Sequence, residues 1–320
     1  MSAVLQPHAT QTLPYLIEPE QPGCETLDDL VQLIERDRTA LAQLLNVHGG
    51  VLFRGFTVDS EEAFGVIGRT LIPSLQPYVE GQSPRTKIGD NVYTSTEFPA
   101  AYRITLHNEL SYKKTAPRHI VFNCHQSAET GGETPILDCR TAYKAIPSDI
   151  REKFETHGVR YLKTMHGQEH GLGKSWMAHF ETSDRAQVEE YLVANDLEFG
   201  WTPEGNLRTA AVRPATIIHP ETGEMIWFNQ ANLWHITNVD ERRRQQIIRR
   251  CGMDNLPTHA TYGDGSPIED SDINLVRNIL WENSIIKPWQ EGDVLFLDNL
   301  LVAHGRNSFT GSRKTLVVMG

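Results

Sequence analysis

The feature that most constrains the fold is a set of short, strand-like segments that recur along the chain without regularly paired helices. Segments of this kind span 51–56, 119–124, 207–213, 293–297 and 314–319, and turn residues lie between them. A doubly wound parallel sheet would need strands that alternate with helices, so the pattern disfavours that fold. We therefore predict a mainly β protein with flanking helices, built as an antiparallel sandwich or jelly roll.

Apolar residues at helical spacing mark the regions between these strands. We predict a helix that starts at the N-cap Thr26, a helical insertion at about 140–200 and helices at about 240–283. Residues 1–25 are rich in proline and have no apolar periodicity, which predicts an arm on the surface. No linker-like stretch or internal repeat interrupts residues 26–320, so we expect one domain there.

Composition excludes several classes of function. A formal net charge of −11 disfavours a nucleic-acid-binding protein, which needs a basic surface. No apolar run approaches the length of a membrane span, and no secretory pattern or C-x-x-C pair is present. We expect a cytoplasmic protein with reduced cysteines, a small-molecule substrate and no nucleic-acid or membrane partner, and self-association is left open. The absence of a glycine-rich phosphate-binding motif disfavours a nucleotide cofactor.

Three His-x-Glu triplets are candidates for metal binding. They are His107-Asn-Glu109, His179-Phe-Glu181 and His219-Pro-Glu221. An imidazole and a carboxylate two residues apart point to the same side of an extended segment, so one triplet and a second histidine would form a facial triad for iron(II). The second triplet precedes a helix start, and the third has the residues of a hairpin turn. Spacing alone does not choose among the three.

The C-terminal region offers partners for the first triplet. His304 closes an apolar run that predicts a buried strand, and the glycine after it permits close approach of another group. Arg313 lies at the start of the last strand, where its planar guanidinium could hold a carboxylate through two hydrogen bonds. The Thr134 hydroxyl, after Gly131-Gly-Glu, could share that carboxylate.

Together these motifs resemble the taurine dioxygenase family of iron(II)- and 2-oxoglutarate-dependent oxygenases, over roughly residues 45–320. The resemblance rests on His107-x-Glu109, Gly-Gly-Glu-Thr134, the block from Asp298-Asn to His304-Gly-Arg-x-x-Phe309, and Arg313. The glutamate and phrases such as Trp227-Phe-Asn-Gln230 are most similar to the clavaminate synthase-like branch and its syringomycin-type amino-acid hydroxylases. The resemblance implies a double-stranded β-helix (jelly-roll, cupin-like) core.

Carried over by position, the resemblance implies His107, Glu109 and His304 as iron ligands, and Thr134 and Arg313 as anchors of 2-oxoglutarate. Many relatives place the arginine further from the distal histidine, so Arg306 is a rival anchor, although its closeness to His304 favours a structural pairing. The predicted lining of the substrate pocket is Thr96, Arg85, Asn229, Gln230 and Asn232. For the three amides, a buried strand edge with hydrogen-bonded side chains is an equal alternative.

The implied cofactors are Fe(II), 2-oxoglutarate and O₂. The implied reaction is hydroxylation of an unactivated C–H bond of an amino acid or an amino-acid-derived intermediate of natural-product biosynthesis, with release of succinate and CO₂. Desaturation or ring formation with the same cofactors is an alternative, and a β-barrel protein that only binds a small acid is a non-enzymatic one. A substrate tethered to a carrier protein would need a docking face, for which the arginine-rich helix at 242–250 is the candidate.

Overall fold

The fold is described from a computed structural model that covers residues 13–77, 85–89, 91–96, 98–167 and 173–320. The strands are β1 Tyr15–Ile17, β2 Gly50–Phe53, β3 Lys87–Gly89, β4 Val92–Thr94, β5 Ile104–His107, β6 His119–Gln126, β7 Thr130–Gly131, β8 Ile136–Asp138, β9 Val159–Met165, β10 Glu198–Trp201, β11 Leu207–Arg213, β12 Thr216–Ile218, β13 Met225–Trp227, β14 Thr258–Tyr262, β15 Val294–Asp298, β16 Val302–Arg306, β17 Phe309–Thr310 and β18 Lys314–Met319. The α-helices are α1 Leu27–Arg36, α2 Arg38–His48, α3 Glu61–Leu71, α4 Cys139–Ala145, α5 Ser148–His157, α6 Trp176–Phe180, α7 Arg185–Ala194, α8 Ala231–Trp234, α9 Glu241–Cys251 and α10 Asp270–Glu282.

The largest sheet has seven strands in the order β1-β2-β15-β6-β18-β4-β3. Strand β1 runs parallel to β2, and the other pairs are antiparallel. Its central strands read as near-continuous apolar runs because both faces are covered. Val121, Leu316 and Val318 face the cluster formed with α1, α2 and α3, whereas Phe122 and Val317 belong to the cluster on the other side.

A second layer lies on that other side. A three-stranded sheet, β5-β16-β8, shares the larger apolar cluster with the seven-stranded sheet. A four-stranded antiparallel sheet, β10-β11-β9-β14, and the hairpin β12-β13 extend this layer. The result is a set of mixed and antiparallel sheets with helices at both ends of the sequence, which agrees with the predicted mainly β class.

The start of the chain corrects one prediction. Within the predicted surface arm, Tyr15 and Ile17 are buried and form strand β1 at the edge of the seven-stranded sheet. Three apolar residues between prolines are too short a run to show periodicity, and parallel pairing with β2 is a tertiary effect. Residues 1–12 of the arm lie outside the described residues.

Helices occur in the regions for which the sequence predicts them. Thr26 caps α1 with a capping box to Asp29, as expected. The predicted insertion contains four helices, α4 to α7, but also β9, which pairs with both β11 and β14. The helices α9 and α10 occupy the predicted region near 240–283, with β14 between them. Among the residues that the structure describes, no helix is long and apolar enough to cross a membrane.

Candidate metal centre

Strand register brings two histidines together. His107 is the last residue of β5, and it lies directly opposite His304 of the neighbouring antiparallel strand β16. Side chains that oppose one another across a strand pair share one face of the sheet. The two imidazole rings accordingly lie 4.6 Å apart between centroids. They are separated by 197 residues in sequence, so that only the sheet makes them neighbours.

A tight turn after β5 adds the carboxylate. Leu110 has a positive φ of 54°, and the turn directs Glu109 back towards the histidines. The Oε2 atom of Glu109 lies 3.5 Å from Nε2 of His304 and 4.0 Å from Nε2 of His107. The three ligand atoms thus lie within 4.8 Å of one another, close enough to coordinate a single ion.

The donor set fits iron(II). Nδ1 of His107 lies 2.8 Å from the Thr105 carbonyl oxygen, which can only accept, so Nδ1 holds the proton and Nε2 keeps its lone pair for a metal. Burial, together with His304, lowers the pKa of His107 to about 4, which keeps this imidazole neutral near pH 7. Two imidazoles and one carboxylate on one face are typical of an iron(II) site with open positions.

The Glu109 carboxylate is held ionised by its neighbours. Burial works to raise the pKa of Glu109, but the Arg85 guanidinium and the two imidazoles outweigh burial and lower the pKa below its usual range. Nη2 of Arg85 lies 2.9 Å from Oε2 of Glu109, and both side chains are buried. The structure therefore places Arg85 beside a predicted metal ligand, in the cavity that also contains His107.

Side-chain amides fix the backbone that carries the two ligands. The Asn299 amide accepts from the Glu109 N–H at 2.7 Å and donates to the Glu109 carbonyl at 3.0 Å. Gln230 donates to the Asn108 carbonyl at 2.6 Å, and Asn232 donates to the Leu106 carbonyl at 2.8 Å. Buried side-chain amides thus hold the carbonyl groups of Leu106, Asn108 and Glu109.

These bonds change the role assigned to three predicted residues. Asn229, Gln230 and Asn232 are buried, and Asn229 donates to the Ala215 carbonyl at 2.9 Å. None of the three lines the cavities that contain His107. The arrangement corresponds to the alternative of hydrogen-bonded buried amides, and it corrects the prediction that they form the pocket wall. Sequence cannot distinguish the two cases, because both place amides beside aromatic residues.

Asn299 is a positioning residue that the site prediction omitted. Its amide also donates to the Pro117 carbonyl at 2.8 Å, so it joins the turn after β5 to the segment before β6. The adjacent Asp298-Asn motif was the available signal, since it belongs to the block on which the family resemblance rests. The motif could not reveal which backbone groups the amide would meet, because these lie about 190 residues away.

Arg313 and Thr134 lie in the cavity that contains His107, His304 and Arg85. The Arg313 guanidinium donates to the Gly132 carbonyl at 2.8 Å and to the Ser95 hydroxyl at 3.3 Å. A Cβ on Gly132, whose φ is +75°, would lie 3.0 Å from Cδ of Arg313, so glycine permits this close approach. The Gly-Gly turn therefore allows the Arg313 side chain to pack against the turn backbone.

The electrostatics of this cavity favour an anion. Burial, with Arg306 nearby, lowers the pKa of Arg313 to about 10. Arg313 has no salt bridge to a carboxylate within the described ranges of the chain. The Thr134 hydroxyl accepts from the indole N–H of Trp289 at 3.2 Å, which leaves its own proton to be donated. A guanidinium and a hydroxyl donor suit the far carboxylate of a 2-oxo diacid.

Arg306, the rival anchor, has a structural role. Its guanidinium donates to the carbonyl oxygens of Phe98, Pro99 and Tyr102 at 2.7, 2.8 and 2.9 Å. Three backbone bonds consume most of its donors, and they hold the segment before β5 against β16. The predicted preference for structural pairing of Arg306 is confirmed.

A larger cavity of about 270 Å³ is also lined by His107, and Arg313 does not line it. Thr96 and His107 line both cavities, and they therefore mark the boundary between the two. Arg103, whose guanidinium lies 5.4 Å from the centre of the Trp281 ring, and Arg243 of α9 add positive charge to the larger cavity. Its volume and its mixed apolar and cationic lining suit a small acidic molecule.

The third triplet is closed to metal by an arginine. His219, Glu221 and Asp298 also bring three ligand atoms within 4.8 Å of one another. Nη2 of Arg118 lies 2.8 Å from Nε2 of His219 and 2.7 Å from Oδ2 of Asp298, and it also bonds to Glu221. The guanidinium thus occupies the place of a cation, next to the predicted hairpin β12-β13, which is confirmed.

The second triplet does not form a pair. Glu181 has a positive φ of 55° and an exposed side chain, whereas His179 is half-buried and its ring nitrogens lie 3.4 Å from the Lys163 ammonium. The helical turn of α6 and its left-handed end separate the two side chains. Of the described triplets, only the first keeps its ligands together without a guanidinium at their centre.

Comparisons with known proteins show the family to which the chain belongs. The model of the family described as taurine catabolism dioxygenase TauD, TfdA matches residues 10–319. The dapdiamide synthesis protein DdaC of Enterobacter agglomerans is 39% identical over 277 residues, which cover 87% of this chain and 83% of that protein. A clavaminate synthase-like protein of Arabidopsis thaliana is 30% identical over 294 residues, 89% of this chain and 85% of that protein.

A solved structure shows the same fold. PvcB of Pseudomonas aeruginosa superposes with a TM-score of 0.53 at 17% identity, over 95% of this chain and 84% of that protein. PvcB is described as an Fe, alpha-ketoglutarate dependent oxygenase from an isonitrile synthetic pathway.

Proposed function

Because this chain belongs to the taurine catabolism dioxygenase TauD/TfdA family, an iron- and 2-oxoglutarate-dependent oxygenase family, we propose that it hydroxylates an unactivated C–H bond of an amino-acid-like substrate. The single observation that supports the site is the convergence of His107, Glu109 and His304 beside the Arg313 cavity. We further infer that the two packed β layers correspond to the double-stranded β-helix of the family.

In the proposed mechanism, His107, Glu109 and His304 would hold iron(II), and bound iron would supply the O₂ chemistry that converts 2-oxoglutarate to succinate and CO₂ and adds one oxygen atom to the substrate. Arg313 and Thr134 bind the far carboxylate of 2-oxoglutarate and so direct its 2-oxo acid end towards the histidines. Arg85 keeps the Glu109 carboxylate ionised and oriented, so that the carboxylate is available as a metal ligand. Asn299, Gln230 and Asn232 hold the ligand backbone, and they preserve the spacing between the ligands.

The larger cavity is the proposed substrate site. Arg103 and Arg243 would receive a substrate carboxylate, and Thr96 would contact the part of the substrate nearest the iron. The relative named for dapdiamide synthesis supports a substrate from natural-product biosynthesis. Glu109 supports oxygen insertion, since it retains the carboxylate that the family's halogenases lack; desaturation and ring formation remain alternatives with the same cofactors.

The outer wall of this cavity suggests where a tethered substrate would dock. Arg243 and Ile247 of α9 line the cavity, and no residue of α9 is buried. An acidic carrier protein could bind the exposed arginines while its thioester arm enters beside them. Kinetics with one amino acid supplied free and as a carrier-bound thioester test this proposal, and Arg242→Glu, at an exposed position of α9 that does not line the cavity, should impair only the bound form.

Binding and turnover together test the proposed activity. Purified protein with Fe(II), 2-oxoglutarate and O₂ should release succinate, and mass spectrometry over the twenty amino acids should find one product heavier by one oxygen atom. Arg313→Met should weaken 2-oxoglutarate binding while iron binding persists. If the iron-loaded protein fails to bind 2-oxoglutarate, or His107→Ala retains full iron affinity, the proposal is wrong.

A further inference from the structure

A buried histidine forms part of the wall of the proposed substrate cavity. His235 lies between α8 and α9, lines the cavity of about 270 Å³ and has an exposed fraction of 3%. By contrast, the two arginines that line this cavity, Arg103 and Arg243, are exposed. Because a buried polar side chain needs hydrogen-bond partners that bulk water does not supply, each ring nitrogen of His235 has to be accounted for separately.

The Nδ1 atom of His235 is an acceptor. The Thr237 backbone N–H donates to it at 3.4 Å, so that His235 caps the 3₁₀ turn Ile236–Asn238. The Thr237 hydroxyl oxygen lies 2.9 Å from the same nitrogen, and Arg277 donates to that oxygen at 3.2 Å. Because Arg277 supplies a proton to the hydroxyl oxygen, the hydroxyl can give its own proton to Nδ1. The proton of the neutral His235 ring therefore lies on Nε2.

The surroundings of His235 keep its ring neutral near pH 7. Burial lowers the pKa of His235 to about 4, with contributions in the same direction from His259, Arg277 and Arg244, whereas Asp270 opposes them. The His259 ring packs against the His235 ring with the centroids 4.7 Å apart. A neutral imidazole whose Nδ1 accepts offers exactly one donor, the Nε2–H.

Capping does not use this donor. The usual N-cap residues are serine, threonine, aspartate and asparagine, which cap a turn with an oxygen acceptor alone. Histidine adds an N–H group, and the Nε2–H of His235 has no acceptor among the residues that the structure describes. Because His235 lines the cavity and Thr237 engages Nδ1, Nε2 is the ring nitrogen that is left for a ligand in the cavity.

We propose that His235 determines substrate specificity by donating its Nε2–H to an amide oxygen of the substrate. This inference rests on the proposed function, since it treats the cavity beside His107 as the substrate site. A neutral donor in a buried position suits a neutral acceptor, because a carboxylate would lose more hydration there. The exposed guanidiniums of Arg103 and Arg243 suit a carboxylate instead. The substrate class is therefore a carboxylic acid that also carries an amide, such as an N-acylated amino acid.

Ligand titration followed by NMR tests the proposal without turnover. The protein, labelled with nitrogen-15 in its histidine rings, is loaded with zinc, which has no redox chemistry, and with saturating 2-oxoglutarate. The probes are N-acetylglycine and N-acetyl-β-alanine, and they are compared with pentanoate and hexanoate, the acids of equal chain length without an amide. We expect at least one of the amides to bind saturably and to shift the Nε2 resonance of His235.

Substitutions of His235 separate the hydrogen bond from packing. His235→Phe removes the donor and should weaken amide binding about tenfold, the effect of one lost hydrogen bond, while alkanoate binding changes less than about twofold. His235→Gln can place a side-chain N–H near the position of Nε2, and it should restore most of the amide affinity. His157→Phe makes the same change at an exposed histidine that does not line the cavity, and it should alter neither affinity.

Thr237 is a positioning residue in this scheme, and its variants test the same hydrogen bond if His235→Phe does not fold. Thr237→Val removes the hydroxyl but leaves the His235 ring in place. Part of the ring should then carry its proton on Nδ1, which the ring nitrogen resonances report, and amide binding should weaken. Thr237→Ser keeps the hydroxyl and should preserve both the resonances and the affinity.

Three outcomes would overturn the proposal. These are the absence of saturable amide binding, an equal loss of amide and alkanoate affinity in His235→Phe, and a protonated Nδ1 of His235 in the wild-type protein at neutral pH. None of these measurements depends on catalysis. A failure of this inference is therefore distinct from a failure of the proposed oxygenase activity, which succinate release measures.

Discussion

Two groups of three metal-ligating side chains occur in the described part of the chain, and they differ in what lies at their centre. In the first, His107, Glu109 and His304 face one another, and Arg85 bonds to the carboxylate. In the second, Nη2 of Arg118 donates to Glu221 and Asp298 and lies 2.8 Å from Nε2 of His219. Both groups keep their ligand atoms within 4.8 Å of one another, so the position of the neighbouring guanidinium distinguishes the group that can bind a metal.

The largest expected effect comes from removing one histidine of each group. His304→Ala should abolish iron-dependent succinate release, because two remaining ligands cannot hold the face of the ion. His219→Ala should retain iron affinity and turnover, since His219 contacts Arg118 and Asp298 rather than iron. Equal loss of iron affinity in the two variants, measured by anaerobic titration, would break the comparison.

Removing the central arginine, Arg118, should allow the second group to bind a metal ion. Arg118→Ala leaves Asp298 buried without its cation, and we expect a loss of about 3 kcal/mol in the free energy of unfolding. Zinc should restore part of that loss, because the three ligand atoms then become free to bind it. Urea unfolding with and without zinc measures both effects. Arg118→Lys, which keeps a charge, is the matched control, and a zinc-independent midpoint in Arg118→Ala would contradict the prediction.

The amides that hold the ligand backbone should affect the first group specifically. Asn299→Ala removes three buried hydrogen bonds on Glu109 and Pro117, and iron affinity should fall on the order of 10- to 100-fold. Asn229→Ala also removes buried bonds, to Ala215 and Ala231, but none on the ligand loop. Both variants should lose about 2 kcal/mol of stability. Comparable iron affinity in the two would show that the loop needs no such support.

The smallest expected effect is a pH dependence of the free energy of unfolding that arises from Asp298 in the second group. Burial works to raise the pKa of Asp298, but the bond from His219 and the charge of Arg118 outweigh burial and lower the pKa. A carboxyl with a depressed folded pKa stabilises the fold above its unfolded pKa of about 3.9, and this stabilisation is lost as pH falls through the folded pKa. Asp298→Asn should therefore flatten the decline of unfolding free energy below about pH 4. An unchanged slope in urea titrations would contradict this.

The sequence predicted the residues of the candidate site better than the contacts that hold those residues in place. His107, Glu109, His304, Thr134 and Arg313 stand in ordered motifs, and the structure brings all five to one cavity or its edge. Four of them lie at strand ends or in turns and His304 lies within β16, and at each position the local pattern predicts the backbone. Their assigned roles stay predictions until binding is measured.

The hydrogen bonds that hold the site in place form between segments that are distant in sequence. The predicted pocket amides Gln230 and Asn232 bond to the backbone of the ligand loop, more than 100 residues away. Arg118 and Asp298 meet across 180 residues. Strand β1 was missed because three residues show no periodicity and its parallel partner lies in β2. Tertiary contact, which no local pattern encodes, decided each of these cases.

The most direct test is an anomalous difference map from crystals soaked anaerobically with Fe(II) and recorded at the iron absorption edge. We predict one peak within coordination distance of Nε2 of His107, Nε2 of His304 and a carboxylate oxygen of Glu109. A peak at His219 and Asp298, or no peak beside Glu109 at saturating iron, would contradict the assignment of the metal centre.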